Sequence, residues 1–175
     1  VMYRMARGED NTPVLAENER PQGKSIGNEH TFDRDTADPV LWHATLLALC
    51  DRVGRRLRQA ELYGRTITLK FRTADFRTTT HADSLQAATD SEKVIFGVAC
   101  RLLEDLKPAG KQVRLLGVSV SKLSSSPPLA QPDLFGGGAD RSPGSVSVVV
   151  DKIRDRFGSA AIGRLGARRD ELRRF

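Results

Sequence analysis

Residues 66–73 read Thr66-Ile67-Thr68-Leu69-Lys70-Phe71-Arg72-Thr73. Ile67, Leu69 and Phe71 alternate with Thr68, Lys70 and Arg72, the period of two expected of a half-buried strand. One face belongs to a core, and the other offers hydroxyls and two cations to water. Upstream, Trp42, Leu46, Leu49, Cys50, Val53 and Leu57 recur at spacings of three and four. That spacing predicts an amphipathic helix. Asp38-Pro39 supplies an N-cap with proline at the first helical position, and the helix stops before Gly64. Earlier still, residues 24–32 (Lys-Ser-Ile-Gly-Asn-Glu-His-Thr-Phe) alternate imperfectly and predict a first strand.

Downstream, Thr73-Ala74-Asp75 is predicted to turn the chain into a third strand from Phe76 to about Ala82, carrying Thr78, Thr79 and Thr80. Thr89-Asp90-Ser91-Glu92 has the spacing of a capping box. It opens a second helix with Ile95, Val98, Ala99, Leu102 and Leu106 on one face, closed by Pro108-Ala109-Gly110. A fourth strand is predicted from Val113 to Leu123. The order β-α-β-β-α-β makes two split βαβ units. The expected fold class is therefore α+β, a ferredoxin-like four-stranded sheet with two helices on one face, followed by a flexible C-terminal tail. In such a sheet Thr68, Lys70 and Arg72 should lie on the helix-free face. The fold alone does not fix a function.

The flanks differ in composition. Residues 1–23 lack sustained periodicity and are punctuated by Gly8, Pro13, Pro21 and Gly23. They read as the end of a preceding element and a linker, and the Val1 start suggests a chain cut from something longer. Ser124-Ser125-Ser126-Pro127-Pro128 and Gly136-Gly137-Gly138 are linker material, with Gln131-Pro132-Asp133-Leu134-Phe135 between them. Val146, Val149, Val150, Ile153 and Phe157 then predict a last helix with an apolar face, ending at Gly158, and an Arg-rich run follows over 164–174.

Several classes of chemistry are missing from the pattern. No apolar run in the 175 residues approaches the roughly 18 needed to cross a bilayer, and no signal-peptide pattern opens the chain. Two cysteines do not make a secreted disulfide scaffold, so a reducing cytoplasm is the default. Cys50 and Cys100 fall on apolar helix stripes and read as small core residues. His30, His43 and His81 have no metal-ligand spacing. No phosphate-cradling glycine motif is present, and no carboxylates cluster on strands to hold magnesium. No catalytic or metal-ligating residue is assigned.

What remains is charge. The chain carries 28 Lys and Arg against 22 Asp and Glu. Residues 64–81 hold Arg65, Lys70, Arg72 and Arg77 against Asp75 alone. A basic, hydroxyl-rich sheet face suits phosphates: cations supply charge, while hydroxyls and amides supply short neutral hydrogen bonds. It would hold a backbone without reading sequence. An RNA-reading sheet would display aromatic rings for stacking; Phe71 and Phe76 are the only candidates, and alternation turns Phe71 inward. Double-stranded DNA is the better fit.

Five segments, in order, resemble one family. Lys24 to Phe32 is similar to the strand that opens the little finger of Y-family translesion DNA polymerases, the DinB branch in particular. Thr68-Leu69-Lys70-Phe71-Arg72 with Asp75-Phe76 resembles the second and third strands. Val113-Arg114-Leu115-Leu116-Gly117-Val118 resembles the last strand, and Asp151 to Gly158 the C-terminal tail. Arg7-Gly8-Glu9-Asp10 resembles the end of the preceding thumb. The resemblance spans roughly residues 4–158.

It implies residues 1–23 as thumb end and linker, 24–123 as a little finger that clasps template-primer duplex mainly through phosphates, 124–145 as a flexible linker, and 146–175 as a C-terminal helix with a basic tail. The implied DNA contacts are Lys24, Ser25, Thr68, Lys70, Arg72, Arg77, Thr79 and Arg114. Gln131, Asp133, Leu134 and Phe135 resemble the bacterial β sliding-clamp-binding pentapeptide, with Pro132 where leucine is usual. Gln131 would bond in a polar pocket while Leu134 and Phe135 fill an apolar cleft. His81-Ala82 stands where the family often has Arg-Ser, which would weaken one phosphate contact or make it pH-dependent. The parent would be a DNA-directed DNA polymerase using magnesium, with its palm outside this chain. Two alternatives remain: a catalytically inactive relative acting as an adaptor, and a stand-alone RNA-binding domain.

Overall fold

In a computed structural model the described residues are 2–9, 23–106, 110–126, 146–158 and 161–163. The elements are α1 (Met2–Ala6), β1 (Ser25–Thr36), α2 (Pro39–Gln59), β2 (Tyr63–Thr73), β3 (Thr78–Thr89), α3 (Glu92–Asp105), β4 (Val113–Ser124) and α4 (Val146–Phe157). The Gln131–Phe135 pentapeptide, the glycine run, most of the linker after α1 and the Arg-rich run 164–174 lie outside the described residues.

The four strands form one sheet in the order β1-β4-β2-β3, and every neighbouring pair is antiparallel. Each βαβ unit is split: β4 lies between β1 and β2, and β2 lies between β3 and β4. This leaves β1 and β3 at the edges. β2 and β4 carry the core, with Ile67, Leu69, Phe71, Leu116, Val118 and Val120 all buried. Across from them α2 contributes Leu46, Leu49, Val53 and Leu57, and α3 contributes Ile95, Ala99 and Leu102. Each of these side chains larger than Ala99 is worth about 1.5–3 kcal/mol when fully buried.

Helix α2 starts as its sequence dictates. The Asp38 carboxylate accepts from the Val40 amide at 2.9 Å, Pro39 follows the cap, and the Trp42 indole donates to the Thr36 carbonyl at 3.2 Å. The start of α3 is different. Ser91 is the N-cap but makes no side-chain cap bond; the Thr89 hydroxyl accepts from the Ser91 amide instead, at 3.1 Å. The expected capping box does not form, because the helix is capped at Ser91 rather than Thr89 and Glu92 becomes its first residue; the Glu92 carboxylate pairs with Arg58 at 2.6 Å.

Helix α4 has the bounds its spacing predicts, Val146–Phe157, and the same ion cluster seats it. Val146, Val149 and Phe157 are exposed and Val150 and Ile153 half-buried, while Asp151 and Arg154 are buried. The cause is the partner surface. Asp51, Arg55 and Arg58, spaced along one stripe of α2, pair with Arg154, Asp155 and Asp151 respectively, each at 2.6 Å. The helix docks through charge.

The third strand begins at Thr78, after a turn in which Phe76 takes a φ of 61°, and continues to Thr89. It is seven residues longer at its far end than the sequence pattern suggested, because an edge strand shows weak apolar alternation.

Candidate nucleic-acid interface

Both crossover helices pack on one side of the sheet, leaving the other side bare of them. Directly paired residues of antiparallel strands project to the same side, so the register writes out the bare face row by row. Lys70 pairs with Thr80 on β3 and Gly117 on β4, and Gly117 pairs with Glu29 on β1. Arg72 shares a row with Thr78, Leu115 and Thr31, while Thr68 shares one with Ala82, Ser119 and Gly27. Thr66, Ser84, Ser121 and Ser25 complete the surface. It is a field of small hydroxyls around two cations and one carboxylate.

Local contacts hold this face in order. Arg72 Nε donates to Thr78 Oγ1 at 2.7 Å, which aligns the guanidinium along the sheet. Thr66 and Ser84 hydroxyls bond each other at 2.8 Å. Lys70 Nζ lies 2.7 Å from Glu29 Oε2. Leu115 is buried here although it lies outside the main core cluster.

The middle of the face is hollowed. Gly27, Asn28, Glu29, Lys70, Gly117, Val118 and Ser119 line a depression of about 420 Å³. Its floor requires glycine. A Cβ on Gly117 would stand 3.0 Å from the Glu29 Cβ and 3.4 Å from the Lys70 Cβ; one on Gly27 would meet the Ser119 Cβ at 2.7 Å. Bare backbone at the floor lets a bulky anion approach the sheet more closely than side chains would allow.

The proposed contacts divide on this geometry. Ser25, Thr68, Lys70 and Arg72 come together on the bare face, and Lys24 precedes Ser25 at its margin. Thr79 does not join them: it pairs with Phe71 in the core-side row, and its neighbours Thr78 and Thr80 take the bare face. His81 pairs with Leu69 on the core side as well, leaving Ala82 to the bare face. Arg77 lies in the β2–β3 turn, with its Nε 3.1 Å from Asp75. There the Thr73 hydroxyl bonds Asp75. That bond first, with Arg77 beside it, holds the Asp75 carboxyl below its usual range. Arg114 follows a register shift next to Val113. Its guanidinium sits 4.6 Å from the Phe76 ring centroid and 3.5 Å from Asp35. Arg77 and Arg114 thus belong to a second cluster at the turn end.

Gly27, Glu29, Thr31, Gly117, Ser119 and Ser121 were not singled out from sequence. The signal was present in the period-two pattern Ser25-Gly27-Glu29-Thr31 and Gly117-Ser119-Ser121, but small residues do not announce a face as alternating apolar residues do.

Among the described residues no group of three or more His, Cys, Asp or Glu side chains could hold a metal ion. The donor set does not fit a magnesium site, and no reaction step is assigned to these residues. Burial pushes the Cys50 thiol well up, and Cys100 is raised in the same way, which suits core residues rather than nucleophiles. No helix among the described residues is long and apolar enough to cross a membrane.

Residues 23–134 match the family described as impB/mucB/samB family C-terminal domain. A DNA polymerase IV of Desulfatibacillum aliphaticivorans is 38% identical over 165 residues, covering 93% of this chain and 40% of that protein. A DNA polymerase IV of Streptomyces coelicolor is 43% identical over 134 residues, covering 77% of this chain and 26% of that protein. The chain therefore spans less than half the length of these curated relatives. Among solved structures, a Y-family DNA polymerase chimera superposes with a TM-score of 0.54 at 19% identity, covering 71% of this chain and 35% of that one. That likeness establishes the fold.

Proposed function

The chain belongs to the impB/mucB/samB C-terminal domain family, and from that premise we propose that it is the DNA-gripping little finger of a Y-family translesion polymerase. One observation carries the reading: a helix-free sheet face on which Lys70 and Arg72 stand among Ser and Thr hydroxyls over a glycine-floored hollow. Such a face meets phosphates and sugars and offers little to base edges. Among the described residues the rows paired with Thr66, Thr68, Lys70 and Arg72 hold no aromatic ring for base stacking, which favours duplex over single-stranded RNA.

Residues 24–123 form the grip. Lys70 and Arg72 take backbone phosphates, assisted by Lys24, Ser25 and Thr68, with Thr78 and Thr80 beside them in place of Thr79. Arg77 and Arg114 extend the contact at the turn end. Residues 1–23 are the thumb end and linker, 124–145 the linker with its clamp-binding pentapeptide, and 146–175 the C-terminal helix and tail. Gln131, Asp133, Leu134 and Phe135 engage the bacterial β sliding clamp. The parent is a cytoplasmic DNA-directed DNA polymerase, and its magnesium-dependent chemistry resides in the remainder of that protein.

The test is duplex binding as a function of salt. For about four to six neutralised phosphates, log K should fall against log salt with a slope of roughly −3.5 to −5.5. Lys70→Ala or Arg72→Ala should weaken binding to all sequences alike and flatten that slope by about one. A salt-independent affinity, or a loss confined to some sequences, would overturn the phosphate grip.

A further inference from the structure

We propose that Glu29 is a built-in competitor for the Lys70 ammonium, an anionic brake that keeps the duplex grip weak enough to release. This rests on the phosphate-binding reading of the bare face and adds a regulatory element to it.

The geometry is specific. Glu29 and Lys70 are on strands that do not touch; both are register partners of Gly117 on the strand between them. Two strand spacings, about 9.5 Å, separate their backbones. Even so, Lys70 Nζ lies 2.7 Å from Glu29 Oε2. The two side chains close over the one residue in that row that has none. A Cβ on Gly117 would press on both, at 3.0 Å from Glu29 Cβ and 3.4 Å from Lys70 Cβ.

The charges explain what the arrangement does. Glu29 is the acidic side chain in the row of Lys70 and Gly117, and it sits at the wall of the hollow where a phosphate would approach. It holds the Lys70 ammonium in the free domain, so a phosphate must displace it to reach that charge. Its side chain is 52% exposed and that of Lys70 35%, so water screens the pair and it is readily exchanged. A phosphate dense with charge displaces the carboxylate from the ammonium, and the carboxylate recaptures it when the duplex moves on. A grip on a duplex that is being extended has to be broken at every step, and a resident anion lowers the cost of breaking it.

The experiment measures duplex affinity of this chain from low to high salt for wild type, Glu29→Gln, Lys70→Ala and the double variant. The brake predicts that Glu29→Gln binds about two- to fivefold tighter at low salt, the scale of an exposed pair. The gain should vanish in the Lys70→Ala background. Unchanged or weaker binding by Glu29→Gln would overturn the brake, as would a gain that persists without Lys70, since that would be a general charge effect. If wild type binds and Lys70→Ala weakens it while Glu29→Gln changes nothing, only the brake fails. If wild type does not bind duplex, the grip itself is wrong and the brake falls with it. Thermal unfolding of each variant separates these outcomes from loss of fold.

Discussion

Replacing Arg58 with alanine should cost the domain about 3 kcal/mol, the low end of the range for breaking a buried ion pair. The arithmetic starts from burial. The Arg58 side chain is 12% exposed, and its partners Glu92 and Asp151 are 3% and 13% exposed. Its guanidinium bonds both carboxylates at 2.6 Å and the Asp90 carbonyl at 3.1 Å. Gly54 makes the approach possible, since a Cβ there would stand 2.9 Å from the Glu92 Cβ. Removing the guanidinium does not strand Glu92 completely, because the Ser147 hydroxyl still donates to it at 2.5 Å and it opens a helix, where a negative charge is favoured. That is why the low end of the range applies. In urea, with a slope of about 1–3 kcal/mol/M, the midpoint should fall by roughly 1–3 M. Arg58→Met, which keeps the stem, separates charge from packing, and Asp151→Asn spares the Arg58–Glu92 pair. The asparagine variant should lose hydrogen-exchange protection in residues 146–157 while its unfolding free energy falls by less than that of Arg58→Ala, because Arg58 keeps Glu92 as a partner. An Arg58→Ala midpoint within about 0.5 kcal/mol of wild type would refute the reasoning: the cluster would then be a solvated surface network.

Acid should attack the same cluster. Burial pushes the Glu92 carboxyl up, but the bonds from Ser147 and its own amide, together with Arg58, reverse this and hold it below its ordinary 4.5. A depressed folded-state value means that the stabilisation is complete above the ordinary value and is lost as pH falls through the folded one. Urea midpoints should therefore stay level from neutral pH to about 5 and decline below it more steeply than those of Glu92→Gln; parallel declines would exclude Glu92 as the source. For the pentapeptide, a Leu134→Ala/Phe135→Ala double variant should lose binding to the β clamp of the same organism by at least about tenfold, since such residues act as buried anchors. Equal binding by variant and wild type would remove residues 131–135 as the tether.

The extent to which this protein could be read from its sequence follows from which forces leave a periodic trace. β2 was legible because Ile67, Leu69 and Phe71 are large, apolar and alternating, and they fixed the Lys70–Arg72 face without further help. β3 was not, because its face depends on the turn before it. With the strand starting at Thr78 rather than Phe76, a run of three threonines gives no internal clue to which of them faces out, and a slip of one residue inverts the choice. In the structure Thr78 and Thr80 share rows with Arg72 and Lys70, and Thr79 shares one with Phe71. α4 was legible in its bounds, Val146–Phe157, but not in its seat: its valines recur at helical spacing, while the surface awaiting it on α2 is Asp51, Arg55 and Arg58. Hydrophobic periodicity tells which side of a helix is apolar; only the partner decides which side is buried.

The glycine floor joins these two lessons. Glu29, Gly117 and Lys70 are far apart in the chain, and each taken singly is an ordinary strand residue. Their meaning arises only when β4 inserts between β1 and β2 and sets the three in one row. The split topology that β-α-β-β-α-β patterning anticipates is therefore what creates the candidate interface. A sheet with β1 paired directly to β2 would put Glu29 and Lys70 side by side, with no floor between them and no hollow for an anion to enter. On this fold the same pair spans a strand, leaving bare backbone beneath the charge that a phosphate would take.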